Sequence, residues 1–143
     1  MKLFNILSHP YTLIISFLMI LISGEHLGGF YILYIMLALP YAGIHSILAV
    51  FGIVVLLTNY HLHSTRKPAG KPFLNLSGLA CMLASITLFF LNDRQHYNWG
   101  TFEQAIPIST FVVFFVIACC FIIRNINTTG FPGKVNHRIG TNA

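Results

Sequence analysis

Residues 105–123 read AIPISTFVVFFVIACCFII, and none of them carries a formal charge. At a rise of about 1.5 Å per residue, a helix of this length crosses a hydrocarbon layer of about 30 Å. Three more uncharged apolar runs precede it, which gives predicted spans at residues 3–23, 30–58, 73–91 and 105–123. The sequence therefore predicts an all-α polytopic membrane protein, with an antiparallel four-transmembrane-helix bundle as one domain over residues 1–124.

The composition agrees with a bilayer environment. Of the 143 residues, 56% are hydrophobic and 8% are charged, whereas soluble domains carry about 25% charged residues. Four spans and their loops use most of the chain, so little length remains for a soluble domain. Catalysis or sensing then has to occur within the helices, in short loops or in a partner.

The signs of the charges predict the topology. Four crossings place all the basic residues except Arg94 on one side, and the acids Glu25, Asp93 and Glu103 on the other. The basic residues of the first side are Lys2, Arg66, Lys67, Lys71, Arg124, Lys134 and Arg138. The positive-inside rule then predicts cytoplasmic N- and C-termini in a cytoplasmic (inner) membrane. Residues 125–143 are expected to form a mobile cytoplasmic tail.

The net charge of +5 does not indicate a nucleic-acid partner, because the basic residues lie where topology and anionic lipid headgroups require them. We therefore expect the lipid bilayer as a partner and no nucleic acid. A second copy of the chain, or other membrane subunits, would supply any protein contact.

The second run is long for one crossing, and Pro40 interrupts it. A turn at residues 40–43 would divide it into two crossings. That division would move Arg66, Lys67 and Lys71 to the acidic side and remove the charge asymmetry. We therefore predict one tilted or kinked helix over residues 30–58.

His45 is the only ionisable residue near the middle of a predicted span. An ionisable group at this depth is a functional hypothesis by default, because its charged form is costly there. Together with Ser46 and Thr87 it forms a candidate set of pore-lining or intramembrane polar residues. The alternative is a neutral imidazole that bonds to a neighbouring helix.

Small residues recur at steps of three and four in the second and third spans. Such faces let membrane helices approach closely. They predict that these two spans pack together, or else that the faces surround the central path of a homo-oligomer. The predicted seam consists of Ala42, Ala49, Gly52, Ser77, Ala80 and Ala84.

The acidic side gathers carboxylates and imidazoles, which suit a cation-binding rim. The possible rim comprises Glu25, His26, Asp93, His96 and Glu103. An ordinary solvated acidic surface is the alternative. No metal site is predicted, because the pair His61 and His63 is too short a motif, and no cofactor or catalytic residue is predicted. Cys81, Cys119 and Cys120 lie within spans and are interpreted as small packing residues.

Three function classes remain compatible with this architecture. The first, which the two small-residue faces and the intramembrane His45 favour, is a self-associating channel or a transporter of small solutes or ions. The second is a non-catalytic accessory or assembly subunit of a larger membrane complex. The third is a membrane enzyme that acts on lipid or quinone, for which the sequence shows few convergent polar groups.

Overall fold

The computed structural model describes residues 2–24, 28–62, 71–93 and 97–128. The described chain is mostly helical. Its helices are α1 (Lys2–Leu7), α2 (Pro10–Leu18), α3 (Tyr31–Ala38), α4 (Ile44–His61), α5 (Lys71–Leu91) and α6 (Ala105–Thr128). Two short strands, β1 (Leu21–Ser23) and β2 (Gly28–Phe30), form a hairpin, and 3₁₀ turns occupy Leu39–Tyr41 and Trp99–Phe102.

Three helices are long and apolar enough to cross a membrane. They are Ile44–His61, Pro72–Leu91 and Ala105–Asn127, with mean hydropathies of 1.6, 1.9 and 2.8. A shorter apolar helix covers Tyr31–Tyr41. These helices support the prediction of a helical membrane protein, while the number of passes and the orientation stay predictions.

The first predicted span, residues 3–23, is not one helix. It consists of α1, α2 and β1, with a break at Ser8 and His9. Pro10 starts α2, where its missing N–H is tolerated, and the His9 side chain accepts a hydrogen bond from the Tyr11 N–H. The chain after α2 then becomes extended, so the prediction of one helix over residues 3–23 is wrong.

Backbone groups on both edges of β1 have hydrogen-bond partners, although the strand lies in an apolar bundle. One edge pairs antiparallel with β2, with Ile22 opposite Gly29. On the other edge, the Leu21 N–H donates to Thr110 Oγ1 at 3.0 Å and the Ser23 N–H donates to Thr101 Oγ1 at 2.9 Å. In membrane proteins, non-helical backbone is tolerated where it is buried in protein or lines a water-filled cavity.

The second predicted span, residues 30–58, is also broken. α3 ends in a 3₁₀ turn that contains Pro40, and Ala42 follows in the left-handed conformation with φ 51°. The Gly43 N–H donates to the Ala38 carbonyl at 3.1 Å, and the Ala42 N–H donates to the Leu39 carbonyl at 3.0 Å. This is the Schellman pattern that ends helices, with alanine where glycine is usual. The single kinked helix predicted from the charge asymmetry is therefore wrong.

α4 and α5 pack along each other in opposite directions. Asn59 bonds to Asn75 at one end of the pair, and the His45 carbonyl accepts from Ser85 at the other. We call these the asparagine end and the hairpin end, because β1 and β2 lie beside the second.

The two remaining segments, α6 and residues 8–23, also alternate in direction between the asparagine end and the hairpin end. Phe90 of α5 contacts Phe111 near the start of α6, with ring centroids 5.9 Å apart. Residues 8–23 then run against α6, from the bond between Arg124 and Ser8 (3.2 Å) to the threonine contacts of β1. Four segments thus alternate in direction, although the first is not a continuous helix.

Aromatic side chains fill the interior between these segments. Phe17, Tyr31 and Phe114 are fully buried. The Phe17 ring lies 5.3 Å from that of Tyr31 and 5.7 Å from that of Phe114, at edge or tilted angles that favour aromatic pairs. The core is therefore packed, and it ties α2 and α3 to α6.

We expect Thr110→Val to destabilise the fold by about 1–3 kcal/mol, because the Leu21 N–H loses its acceptor while the side-chain volume is kept. Reversible unfolding in detergent measures this change in free energy. Ser109→Ala is the matched control, because Ser109 is exposed and bonds only to its own helix at Ile106. Equal stabilities of the two variants would contradict the proposed role of the hydroxyl.

We expect Ala42→Gly to stabilise the chain by up to about 1 kcal/mol, because glycine adopts the left-handed conformation without the steric cost that alanine carries. Ala80→Gly, on the exposed face of α5, is the opposite control, since glycine within a helix costs about 1 kcal/mol. The same unfolding assay compares them. A loss of stability in Ala42→Gly would show that the turn imposes no such cost.

Candidate functional site

His45 lies in the first turn of α4, directly after the break from α3. Its ring packs on Phe89 with centroids 5.4 Å apart and planes at 68°. The ring also lies against the turn, since a Cβ on Gly43 would be 3.3 Å from His45 Cε1. Its Nε2 atom is buried and has no hydrogen-bond partner among the described residues. The alternative of an imidazole bonded to a neighbouring helix is therefore not supported for this nitrogen.

A buried polar bridge joins α3, α4 and α5 next to this ring. Ser85 Oγ donates to the His45 carbonyl at 2.6 Å. The Tyr31 hydroxyl lies 2.8 Å from the same Oγ, and because the single serine proton is already used, Tyr31 is the donor of that bond. Sequence reasoning missed this bridge, although a serine and a tyrosine within apolar runs are polar groups that need partners.

The three predicted pore residues do not come together within the chain. Ser46 is fully buried, and its Oγ donates to the Gly43 carbonyl at 2.7 Å. Thr87 is exposed on α5 and donates to the Leu83 carbonyl at 3.0 Å. His45, Ser46 and Thr87 therefore do not line one path in the described part of the molecule.

Small residues lie at the contact between α4 and α5, but the α5 residue there is Gly78, which is not part of the predicted seam. Ala49 and Gly52 are buried on α4. A Cβ on Gly52 would be 2.7 Å from the Gly78 carbonyl oxygen, and a Cβ on Gly78 would be 2.8 Å from Leu56 Cγ. The two backbones thus meet at Gly52 and Gly78, which only glycine permits. Gly78 was missed, although it directly follows Ser77 of the predicted seam.

The other predicted seam residues lie elsewhere. Ala42 is in the exposed turn after α3, and Ser77 is half-buried. Ala80 and Ala84 are exposed, and with Thr87 they form a face of small residues on α5 that points away from the bundle. We call these three residues the α5 outer face.

At the asparagine end, a chain of side-chain amides links three helices. Asn59 Nδ2 donates to Asn75 Oδ1 at 2.6 Å, and Asn75 Nδ2 donates to Asn125 Oδ1 at 2.6 Å. Asn125 Nδ2 in turn donates to the Phe121 carbonyl at 2.7 Å. Sequence reasoning assigned Asn59 and Asn125 to the loop and the tail, because both follow the last apolar residues of the predicted spans.

A second contact at this end ties the junction between α1 and α2 to the end of α4. The Tyr11 hydroxyl lies 3.0 Å from His61 Nε2, and the His9 ring stacks on Tyr11 at 5.4 Å. His63, the other half of the histidine pair, lies outside the described residues. Over the described ranges, no group of three or more metal-ligating side chains forms.

The possible cation rim lies largely outside the described part of the chain, because Glu25, His26 and His96 belong to the gaps. The Asp93 carboxylate accepts from the Tyr97 N–H at 3.2 Å and the Asn98 N–H at 2.7 Å, so it caps the loop that follows α5. Glu103 is exposed. The rim stays a prediction, with Asp93 already engaged by the backbone.

One cavity opens between α4 and α5 near the asparagine end. Its volume is about 160 Å³, and most of its lining is aliphatic. The lining residues are Val54, Val55, Thr58, Asn59, Leu62 and Leu74. A cavity of this size at the surface does not form a path through the bundle.

Comparison with known protein families, with characterised proteins and with solved structures found no match. The polar groups described above bond mainly within the chain, and the hydroxyl–imidazole pair of Tyr11 and His61 is exposed at the surface. These polar groups join the helices to one another.

We expect Asn75→Leu to destabilise the bundle by about 1–2 kcal/mol, because a hydrogen bond between membrane helices contributes on average about 0.6 kcal/mol and at most about 1.7 kcal/mol in a folded membrane protein. The substitution removes two bonds at once, one to α4 and one to α6. Asn92→Leu is the control, because Asn92 is exposed near the end of the same run. Unfolding in detergent gives both values, and an Asn75→Leu protein as stable as Asn92→Leu would show that the amide chain does not hold the helices.

Proposed function

We propose that this chain is an integral membrane protein that works through helix–helix association, as a non-catalytic accessory or assembly subunit of a larger membrane complex. One observation carries the proposal. The interior is filled by buried side chains such as Phe17 and Phe114, and the polar groups beside them, Ser46 and Ser85, bond within the chain. The outer surface is then what the described molecule offers to other proteins.

The α5 outer face is the best candidate contact on that surface. Ala80, Ala84 and Thr87 are all exposed on consecutive turns of one helix. Small side chains let a neighbouring membrane helix approach closely, and close packing is the main source of affinity between helices in lipid. The Thr87 hydroxyl bonds to its own backbone, so this face carries little polar cost in an apolar contact.

In the proposed topology the chain crosses the cytoplasmic membrane four times, and both termini lie in the cytoplasm. The alternating directions of residues 8–23, α4, α5 and α6 support four passes. Lys2, Lys71 and Arg124 belong to the asparagine end, and Asp93 and Glu103 belong to the hairpin end. The positive-inside rule then assigns the asparagine end to the cytoplasm.

A second candidate is a self-associating channel or a transporter of small solutes or ions. The observation in its favour is the buried His45 Nε2, which lacks a partner within the described chain, because a buried imidazole with a free nitrogen suits proton-linked gating. This candidate requires a homo-oligomer, since His45, Ser46 and Thr87 do not line one path within the described chain. A membrane enzyme acting on lipid or quinone gains no support from the described side chains.

Mass measurement of the particle purified in mild detergent from native membranes separates the two candidates. We expect a stoichiometric complex with other membrane subunits, and we expect Ala84→Leu to lose those subunits because the larger side chain prevents close approach. Val112→Leu, on the exposed face of α6, is the matched control and should keep them. A homo-oligomer with no other chains would contradict the accessory role and favour the channel.

A further inference from the structure

α3 does not follow the direction of the long helices. Tyr31 at its start and Tyr34 in its middle both contact Phe89 of α5, with ring centroids 5.3 and 5.1 Å apart. Its end lies beside the start of α4, because Gly43 N–H donates to the Ala38 carbonyl. Over the seven residues from Tyr31 to Ala38 a helix advances about 10 Å, so these contacts mean that α3 crosses α5 at a large angle.

The depth of α3 follows from the same contacts. The start of α4 lies level with Ser85, whose Oγ donates to the His45 carbonyl, and α5 ends at Leu91. At 1.5 Å per residue, Ser85 and Phe89 lie about 9 and 3 Å from that end. With the end of α5 taken as the membrane boundary, α3 therefore lies within the outer third of a hydrocarbon layer about 30 Å thick.

The exposed face of α3 is apolar. Leu33, Met36 and Leu37 are 46%, 63% and 59% exposed. The two hydroxyl-bearing residues of the helix, Tyr31 and Tyr34, contact Phe89 instead. The helix therefore offers no polar side to water. Apolar exposure continues along α4 through Ile44, Ile47 and Phe51, on a helix long enough to cross the bilayer.

We propose that α3 is an in-plane helix of the leaflet at the hairpin end, and that Leu33, Met36 and Leu37 bind the acyl chains of its lipids. The inference rests on the proposed membrane embedding and adds a half-length element that does not cross. Lipid is the occupant because the exposed face is continuous with the lipid-facing surface of α4 and carries no group for a polar partner. Because α3 begins and ends at the hairpin end, this additional apolar helix adds no crossing, and the number of passes stays even.

A nitroxide at position 36 tests this placement. Met36→Cys is labelled in a background with Cys81→Ala, Cys119→Ala and Cys120→Ala, and is reconstituted into vesicles of phosphatidylethanolamine and phosphatidylglycerol. Power saturation compares collisions with oxygen, which concentrates in acyl chains, and with a water-soluble nickel chelate. We expect oxygen to dominate at position 36, at a depth shallower than that of a label at Val116 in the middle of α6.

Controls separate a failure of this inference from a failure of the membrane proposal. Glu103→Cys reports water, and Val116→Cys reports the bilayer centre; a water-like signal at Val116 would overturn membrane embedding itself. A label at position 36 that resembles Glu103, that is as deep as Val116, or that is shielded from both reagents by a second protein would overturn the in-plane lipid contact. Leu33→Cys, on the same face, repeats the measurement in case Met36→Cys fails to fold.

Discussion

The structure depends on one constraint, which is that backbone N–H groups in an apolar bundle need acceptors. β1 shows the constraint most clearly, because a strand cannot satisfy its own backbone as a helix does. β2 serves one edge of β1, and the hydroxyls of Thr101 and Thr110 serve the other. Those contacts fix residues 20–23 against α6, and β2 then brings Tyr31 to the position from which it reaches Ser85.

Two different devices hold the three long helices together. Gly52 and Gly78 bring the backbones of α4 and α5 into direct contact. Van der Waals attraction between the two helices then sums over many atom contacts. Asn59, Asn75 and Asn125 then add α6 at one end through bonds of 2.6 Å. Glycine sets how close the helices lie and asparagine sets their register, since an amide chain of this kind forms at one relative position only.

The sequence predicted the helical membrane class because apolar runs and missing charges depend only on residue type and order. Of the seam residues that it named, Ala49 and Gly52 lie buried on α4. Gly78 was missed because the pattern of small residues on α5 has two possible faces, and the outer one, with Ala80 and Ala84, follows the same spacing. Nothing in a single sequence shows which of two such faces meets a neighbour.

The breaks in the first two predicted spans were missed for a different reason. Hydropathy measures the environment of a run and does not distinguish a helix from an apolar strand or turn, so residues 3–23 and 30–58 were both interpreted as single helices. Pro10 and Pro40 lie where the backbone conformation changes. The structure uses Pro10 to begin a helix and Pro40 within a 3₁₀ turn. Local hydrogen bonds that hydropathy does not report accompany each choice, from the Tyr11 N–H to His9 and from the Gly43 N–H to the Ala38 carbonyl.

The asparagine chain has a consequence for biosynthesis, because its three members enter a membrane one after another. When α4 leaves the insertion machinery, Asn75 has not yet arrived to accept from Asn59, and α5 in turn precedes Asn125. A bare amide in hydrocarbon is unfavourable. An insertion intermediate that contains α4 without α5, or α5 without α6, therefore lacks one of the bonds between helices that the folded bundle makes.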